Sequence, residues 1–556
     1  MSGDAPSAPL ARRALAALPP WPVAIWLVLT VGALAARPPL APTEAQVLSI
    51  AWEMWREGAL LPRLNGMPLI EQPPLLYWLI CGAWSLFGVS EVVGRLVAPL
   101  FGLGALLLMA PLARLLWPER PGVGRLAGIL LAGTGGFVAY SAMSLPTLPT
   151  MFFAVLGLYG LALAWRGAAA GWLVYGAALA LGFLVGGSGA ALLLLLPGLA
   201  APLWAPRDGS SFAWYARLAA TWALGLAITL VWLVPAMSRG ALPAGLLFTE
   251  PPLAEAFATP QRPVYWMVLI LGLALYPWLL WKTLWRAVGR GRPAWREPAS
   301  RLVLTAAAAA LLVALAINWR EAEGLLPLLP PAALMAARLL DSGARRPYDF
   351  HALLPGLVAL LVGLVCFLLN IVPVAHLDAV WREFISERGL PIWLGGISLA
   401  SGLVLLGGSY LLAQMTPAAL VSRTVQLALL PVLMLSTLNL EFAISLRDFF
   451  DLGRVAEQIH ALQEDGRPVA IYGSYGGEFG FSGRLAAPLE VLPSTAAAIG
   501  WAAEHPRGVV VSSFQAGVLH MPAEPLYLGE VADTWAALWP ADAVTSTDGA
   551  VLRRRF

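Results

Sequence analysis

The strongest constraint on the fold is a succession of apolar runs. A straight membrane helix needs roughly 20 predominantly apolar residues. Thirteen runs approach that length, a few of them broken by Pro or Gly: 21–36, 93–117, 123–141, 147–165, 171–186, 188–205, 213–237, 264–285, 299–317, 323–340, 351–373, 390–413 and 424–445. Of 556 residues, 59% are hydrophobic and 12% are charged, a balance that no soluble domain requires. We therefore predict an α-helical polytopic membrane protein with about 13 transmembrane helices.

The basic residues give the expected orientation. A further run, Leu75–Phe87, is too short for a straight span, and we interpret it as an interfacial or re-entrant helix. With Arg12 and Arg13 in the cytoplasm, thirteen spans leave the heaviest basic cluster, 282–296, on the cytoplasmic side. An extra span would move that cluster outside. The sequence thus predicts a multi-pass protein of a bacterial inner membrane, with the loop 37–92 and the turn at 141–149 facing the periplasm.

The chain divides near residue 445. Residues 1–445 contain the apolar runs, whereas 446–556 hold 13 acidic residues and 8 arginines. Short buried strands are predicted at "RPVAIYG", "PLEVL" and "GVVVSS", and helices at "VAEQIHALQEDG" and "STAAAIGWAAEHP". We predict a small periplasmic α/β domain over 446–556. The overall charge of +3 is too small to indicate nucleic-acid binding.

The outer loop 37–92 carries two carboxylates in notable places. Thr43 is a candidate N-cap, Glu44 follows it, and an apolar stripe predicts an amphipathic helix on the membrane surface. A turn is predicted at Asn65–Gly66, and Glu71 stands just before a double proline. Glu44 and Glu71 could face one cavity, or both could be ordinary interfacial acids. The loop tryptophans are expected to anchor in the membrane–water interface: Trp52, Trp55, Trp78 and Trp84.

Several polar sequence motifs in this loop resemble those of a known family. The chain reads "TEAQV", "PRLNG", "IEQPPLLYW" and "FGVSEVVGR", in that order, over about fifty residues. This pattern is similar to that of the bacterial protein O-mannosyltransferases and lipid A aminoarabinose transferases. The resemblance implies a GT-C fold and transfer of a sugar from a polyprenyl-phosphate carrier to an acceptor on the outer face. It also implies that a carboxylate acts as the general base and that cations meet the leaving phosphate.

The residue-by-residue resemblance is incomplete. Thr43 stands where the family has its principal Asp, and Thr147 stands at a second family Asp. Gln72 and Gly186 occupy positions at which the family has Lys. The resemblance leaves Glu44 and Glu71 as candidate catalytic residues. Candidate substrate-binding residues are Arg63, Gln72, Tyr77 and Arg320.

Two hypotheses remain open. In the first, the protein transfers sugar with Glu44 or Glu71 as base. In the second, it is a degenerate family member that binds lipid or assembles with a partner membrane protein without chemistry. The partners predicted are a polyprenyl-phosphate-linked sugar and membrane lipid. No cofactor is predicted, and the five histidines show no metal-ligand spacing, so they predict no metal site. The sequence leaves open whether a divalent metal takes part.

Overall fold

A computed structural model describes residues 20–40, 42–69, 72–205, 211–237, 264–316, 322–343, 353–371, 398–415, 417, 419–514, 523–531 and 534–552. Most of this part is helical, with α-helices at Pro20–Ala36, Thr43–Glu57, Leu75–Phe87, Glu91–Leu116, Pro121–Ala132, Gly135–Tyr140, Thr147–Trp165, Ala170–Leu199, Ala201–Trp204, Ser211–Met237, Val264–Ala274, Lys282–Arg290, Arg292–Trp295, Pro298–Ala316, Leu329–Gly343, Leu353–Ile371, Leu399–Gln414, Leu420–Glu441, Arg447–Phe450, Gly453–Glu464, Thr495–Glu504 and Ala541–Ser546.

The membrane-type architecture is confirmed. Seven helices in the described ranges are long and apolar enough to cross a bilayer: Glu91–Leu116, Thr147–Trp165, Ala170–Leu199, Phe212–Trp232, Pro298–Leu315, Ala322–Asp341 and Leu420–Ile444. Shorter apolar helices accompany them, among them Leu75–Phe87, which begins and ends where the sequence predicted. Since several predicted runs extend beyond the described ranges, the count of thirteen spans stays a prediction.

The helical segment Ala170–Leu199 is a hairpin. Gly186 and Gly187 leave helical backbone angles, with φ +57° at Gly187. The Tyr175 hydroxyl donates to the Leu194 carbonyl at 2.9 Å across 19 residues. A straight helix would separate these residues by about 28 Å. The runs 171–186 and 188–205 are therefore two antiparallel arms, as predicted, with the glycines at the turn.

The predicted run 123–141 is broken in the structure. One helix ends at Ala132 and the next begins at Gly135. The Gly135 N–H donates to the Tyr276 carbonyl at 2.7 Å, and a Cβ at Gly133 would collide with Ala428. Close packing against neighbouring helices thus fixes the break, and hydropathy alone does not reveal such packing.

The outer loop folds as helix, hairpin, helix. The Thr43–Glu57 helix buries the predicted stripe, but its N-cap is Pro42, which offers no side-chain cap, so the prediction for Thr43 is wrong. Strands β1 (Arg63–Leu64) and β2 (Met67–Pro68) are antiparallel. Asn65 and Gly66 join them with φ +54° and +77°, which confirms the turn.

The C-terminal region contains a mixed five-stranded sheet. Its strands are β3 (Val469–Tyr472), β4 (Glu490–Leu492), β5 (Val509–Phe514), β6 (Tyr527–Val531) and β7 (Thr534–Pro540), and they lie in the order β4-β3-β5-β7-β6. β3, β4 and β5 lie at the three predicted strands and pair in parallel, and helices pack on the sheet. Glu490 and Val491 of β4 are exposed, so the prediction that this strand is buried is wrong. The antiparallel pair β6 and β7 was not predicted.

The outer loop and the C-terminal sheet region pack against each other. Asn65 exchanges two hydrogen bonds of 2.7 Å with the Leu489 backbone. Ser49 donates to the Gly477 carbonyl and accepts from the Phe481 N–H. These two regions therefore lie on the same side of the helical bundle, as predicted from the charge distribution.

The interface tryptophans were partly misassigned. Trp84 is 1% exposed and stacks on Phe481, with ring centroids 5.3 Å apart. Trp52 contacts the same phenylalanine edge-on, and its indole N–H donates to the Leu485 carbonyl. Trp84 thus belongs to the protein interior and not to the predicted membrane-anchoring belt. The prediction failed because periodicity does not show which apolar residues cover another part of the chain.

Candidate functional site

A buried carboxylate lies where the outer loop meets the bundle. Glu44 is fully buried, and its side chain pairs with Arg37. It also accepts from the Ser144 N–H at 2.8 Å and the Leu40 N–H at 3.2 Å. Arg95 Nε lies 3.9 Å from the same carboxylate. Each Glu44 oxygen is therefore already engaged by donors of the protein.

The two arginines tie separate segments together. Arg37 follows Pro20–Ala36, which is the first of the described helices, and its guanidinium also donates to the Ala142 carbonyl at 3.0 Å. Arg95 donates to the Arg37 carbonyl at 2.8 Å and pairs with Glu91 at 2.7 Å. We call Arg37, Glu44 and Arg95 the buried ion cluster. It joins the end of the first helix, the outer-loop helix, the Glu91–Leu116 helix and the turn after Tyr140.

The electrostatics of Glu44 disfavour its use as a base. Burial alone would raise the pKa of Glu44, but Arg37, Arg95 and the hydrogen bond from Ser144 hold that pKa below its ordinary value. A carboxylate with a lowered pKa is a weaker proton acceptor. With its oxygens occupied, Glu44 has the surroundings of a structural anion, so its predicted catalytic role is not supported by this geometry.

The two positions at which the family has Asp flank this cluster. Thr43 begins the outer-loop helix beside Glu44, and Thr147 begins the helix that follows the turn holding Ser144. Thr147 Oγ1 is buried and has no hydrogen-bond partner within the described part of the chain. The fold therefore brings the two replaced positions to the same end of the bundle, where neither side chain supplies a carboxylate.

Three predicted substrate-binding residues lie in the described outer loop. The Tyr77 hydroxyl is buried and donates to Gln72 Oε1 at 3.3 Å. Arg63 pairs with Glu57 at 3.1 Å and donates to the Gly66 carbonyl at 2.6 Å. The Arg63 side chain is about one-third exposed, so its charge remains accessible to solvent. Glu71 and Arg320 lie outside the described residues.

An apolar cavity of about 640 Å³ opens between the outer loop and the bundle. Its walls come from the segment 58–61, Trp78, Leu184 and the helix segment 228–232. Trp78 fixes the loop wall because its indole N–H donates to the Leu60 carbonyl at 2.9 Å. The cavity thus adjoins the helix that directly follows the "EQPP" segment.

The turn of the helical hairpin also reaches this region. A Cβ at Gly187 would lie 3.7 Å from Pro73. A Cβ at Gly186 would collide with Thr150 and lie 3.0 Å from Ala190. A lysine at position 186 would therefore require Thr150 and Ala190 to move. The glycine at this position, where the family has lysine, allows the turn to pack closely against these two residues.

Sequence reasoning missed the buried ion cluster. Helical spacing favours only the local pair of Arg95 with Glu91, four residues earlier, and that pair is present. The available signal was that Glu44 shares a helical face with Val47, Leu48 and Ala51, all buried. A carboxylate on the apolar face of a helix requires a buried cation as partner, and Arg37 and Arg95 lie near the two ends of the outer loop in the sequence. In the described ranges, no group of three His, Cys, Asp or Glu residues is arranged to bind a metal.

Part of the chain is similar to a known protein family. Residues 71–238 match the model of the family described as dolichyl-phosphate-mannose-protein mannosyltransferase. An uncharacterized protein of Aquifex aeolicus (strain VF5) is 29% identical over 119 residues, which are 21% of this chain and 24% of that protein. The chain thus aligns with about a quarter of this relative's length.

The chain is also similar to solved structures of ArnT from Cupriavidus metallidurans. The apo structure has a TM-score of 0.70 at 16% identity and covers 94% of this chain and 98% of ArnT. The structure bound to undecaprenyl phosphate has a TM-score of 0.66 at 16% identity and covers 96% and 98%. The resemblance indicated by the sequence motifs is therefore confirmed: residues 71–238 match the model of the family described as dolichyl-phosphate-mannose-protein mannosyltransferase, and the chain has the fold of ArnT.

Proposed function

We propose that the protein is a membrane glycosyltransferase that takes a sugar from a polyprenyl-phosphate carrier and passes it to an acceptor outside the cytoplasm. The observation that carries this proposal is the apolar cavity beside the Leu75–Phe87 helix. A prenyl chain can lie against its aliphatic and indole walls, and burial of apolar surface favours binding. The carrier's head group would then lie near the outer loop, where an aqueous acceptor arrives.

The leaving phosphate needs compensation of its charge. In transfer, the acceptor oxygen forms a bond to the anomeric carbon while the bond to the phosphate oxygen breaks, and the phosphate departs with the electron pair. Arg63 is an accessible cation of the outer loop, and Arg320 is a second candidate from the sequence. Gln72, held by Tyr77, offers amide donors in place of the family lysine.

The acceptor proton requires a base. Since the oxygens of Glu44 are engaged by Arg37 and backbone N–H groups, we assign the proton to Glu71, which directly precedes Gln72. On this proposal Glu71 is the carboxylate that acts as general base in a site whose other family acids are replaced. Glu44 then holds the surrounding segments in place.

The second candidate function is a non-catalytic member of the family that binds a polyprenyl-phosphate lipid or assembles with a partner membrane protein. The observation that favours it is that Thr43 and Thr147 occupy both acid positions of the family. A threonine hydroxyl does not accept a proton near neutral pH. The cavity alone suits this alternative as well as catalysis.

Location follows from the same proposal. The carrier's apolar tail requires a membrane, and the basic clusters favour the bacterial inner membrane with the outer loop and residues 446–556 in the periplasm. The acceptor is a lipid, a glycan or a protein of the cell envelope.

Binding and turnover separate the two functions. The full-length protein in nanodiscs is titrated with undecaprenyl phosphate and then supplied with glycosylated polyprenyl phosphates and envelope extract from the source cell. We expect binding and release of free polyprenyl phosphate. Binding without release would favour the non-catalytic alternative. Absence of both would overturn the proposal and its alternative.

A further inference from the structure

The end of the bundle opposite the C-terminal domain carries a concentrated positive charge. Between residues 282 and 297 the chain has Lys282, Arg286, Arg290, Arg292 and Arg296, with Glu297 as the only acid. Lys282 is the only lysine of the whole sequence. The helices Lys282–Arg290 and Arg292–Trp295 carry four of the five cations, and Arg296 directly follows the second helix.

The Glu91–Leu116 helix places this segment far from the outer loop. Arg95, near the start of that helix, belongs to the buried ion cluster. Trp117, just past its end, donates to Glu297 at 2.9 Å. Twenty-six helical residues span about 39 Å. The basic segment therefore lies near the other membrane surface.

The basic segment is held firmly with one face inward. Thr283, Ala287 and Ala294 are buried. Gly291 packs so closely on Leu339 that a Cβ there would collide with that side chain. The outward orientation of the opposite face is thus set by packing.

That opposite face combines exposed cations with an exposed indole. Lys282, Arg292 and Arg296 are exposed, and Trp285 is 55% exposed. The neighbouring acid Glu297 accepts from Arg338 Nε at 2.9 Å. A tryptophan among cations at the end of a helical bundle matches the chemistry of a lipid headgroup layer, in which phosphates lie next to the acyl boundary.

We propose that this segment, Lys282 to Arg296, is a binding surface for anionic phospholipid headgroups of the leaflet opposite the C-terminal domain. The cations contact lipid phosphates and Trp285 enters the acyl boundary. A cation near an anionic membrane surface contributes about 1 kcal/mol, or roughly a fivefold preference. The proposal is independent of sugar transfer.

The test compares full-length protein in nanodiscs of phosphatidylcholine alone and of phosphatidylcholine with phosphatidylglycerol. Retention of phosphatidylglycerol is measured by native mass spectrometry. The variant Lys282→Gln/Arg292→Gln/Arg296→Gln removes charge without reversing it, so the sidedness of the chain is not inverted. The control Arg454→Gln/Arg507→Gln removes exposed cations from the C-terminal domain.

We expect the triple variant to lose at least about tenfold of the phosphatidylglycerol preference, and the control to keep it. High salt should weaken the preference of the unmutated protein, because it screens exposed charges. Equal preference in the triple variant and the unmutated protein would overturn the proposal. So would competition by inorganic phosphate alone, since a free-anion site would then explain the binding.

Discussion

The substitution Glu44→Gln tests the role assigned to the buried ion cluster. Glu44 is fully buried and Arg37 nearly so, and the carboxylate is the only acid that contacts both Arg37 and Arg95 within the described residues. Removing one partner of a buried ion pair costs about 3–5 kcal/mol, because the remaining charge stays buried. Glutamine keeps the size and one acceptor oxygen, so we expect the lower limit, about 3 kcal/mol of unfolding free energy.

The matched control is Glu91→Gln. Glu91 also pairs with Arg95, at 2.7 Å, but is 42% exposed. Exposed pairs contribute at most about 1 kcal/mol. Unfolding of both variants by sodium dodecyl sulfate in mixed micelles, followed by tryptophan fluorescence, gives the comparison. Equal stability of the two variants would refute the structural role of Glu44. Full stability of Glu44→Gln together with loss of sugar transfer would restore Glu44 as the base.

Three further predictions concern the buried ion cluster and the contacts between the outer loop and the C-terminal region. Arg37 and Arg95 hold the pKa of Glu44 in the folded protein below that of an ordinary glutamate, so its stabilisation is fully present above the ordinary glutamate range and is lost as the pH falls through the lowered value. Unfolding curves should show the Glu44→Gln difference shrinking only in that acidic range, and a difference lost near neutral pH would contradict this. Gly66→Ala should destabilise the docked C-terminal region by about 1–2 kcal/mol, since Gly66 has φ +77° and a Cβ there would lie 2.9 Å from Pro488. Hydrogen exchange of the backbone amides at 486–492 should become faster in this variant. The control Gly82→Ala, which has open space around its Cβ, should leave that exchange unchanged. Ser49→Ala should cost about 1–3 kcal/mol, because it leaves a buried carbonyl and a buried N–H without their partner; a stability within error of the unmutated protein would count against this contact.

Local sequence signals predicted the parts of the fold that local chemistry determines. The hairpin at Asn65–Gly66 followed from residues that accept positive φ, and the Leu75–Phe87 helix from a short apolar run between a double proline and Gly88. The two arms around Gly186 were also predicted as separate runs. In each case the signal and the structure share the same few residues.

Features that depend on distant contacts were not predictable in this way. The break after Ala132 follows from packing on Ala428, and the burial of Trp84 follows from stacking on Phe481. Arg37 donates to the Ala142 carbonyl, 105 residues away, and Arg95 reaches Glu44 from another helix. These partners are remote in the sequence, so neither periodicity nor motif spacing identifies them.

The sequence predicted which residues lie in the candidate site better than it predicted the roles of those residues. The sequence identified Glu44, Thr43 and Thr147 as positions of one site, and the fold brings Glu44 to the turn that precedes Thr147. It did not show that the Glu44 oxygens are engaged by protein donors. Charge alone does not distinguish an acid available to substrate from an acid buried between arginines.

The most direct test of the central claim is the release of free polyprenyl phosphate by the unmutated protein, by Glu71→Gln and by Glu504→Gln, an exposed acid of the C-terminal domain. The measurement uses nanodiscs with glycosylated carrier and envelope extract, and it does not depend on knowing the acceptor. If Glu71 is the working base, its variant should be slower by about 100-fold or more, with Glu504→Gln unchanged. Equal release by the Glu71 variant and the unmutated protein would contradict the claim.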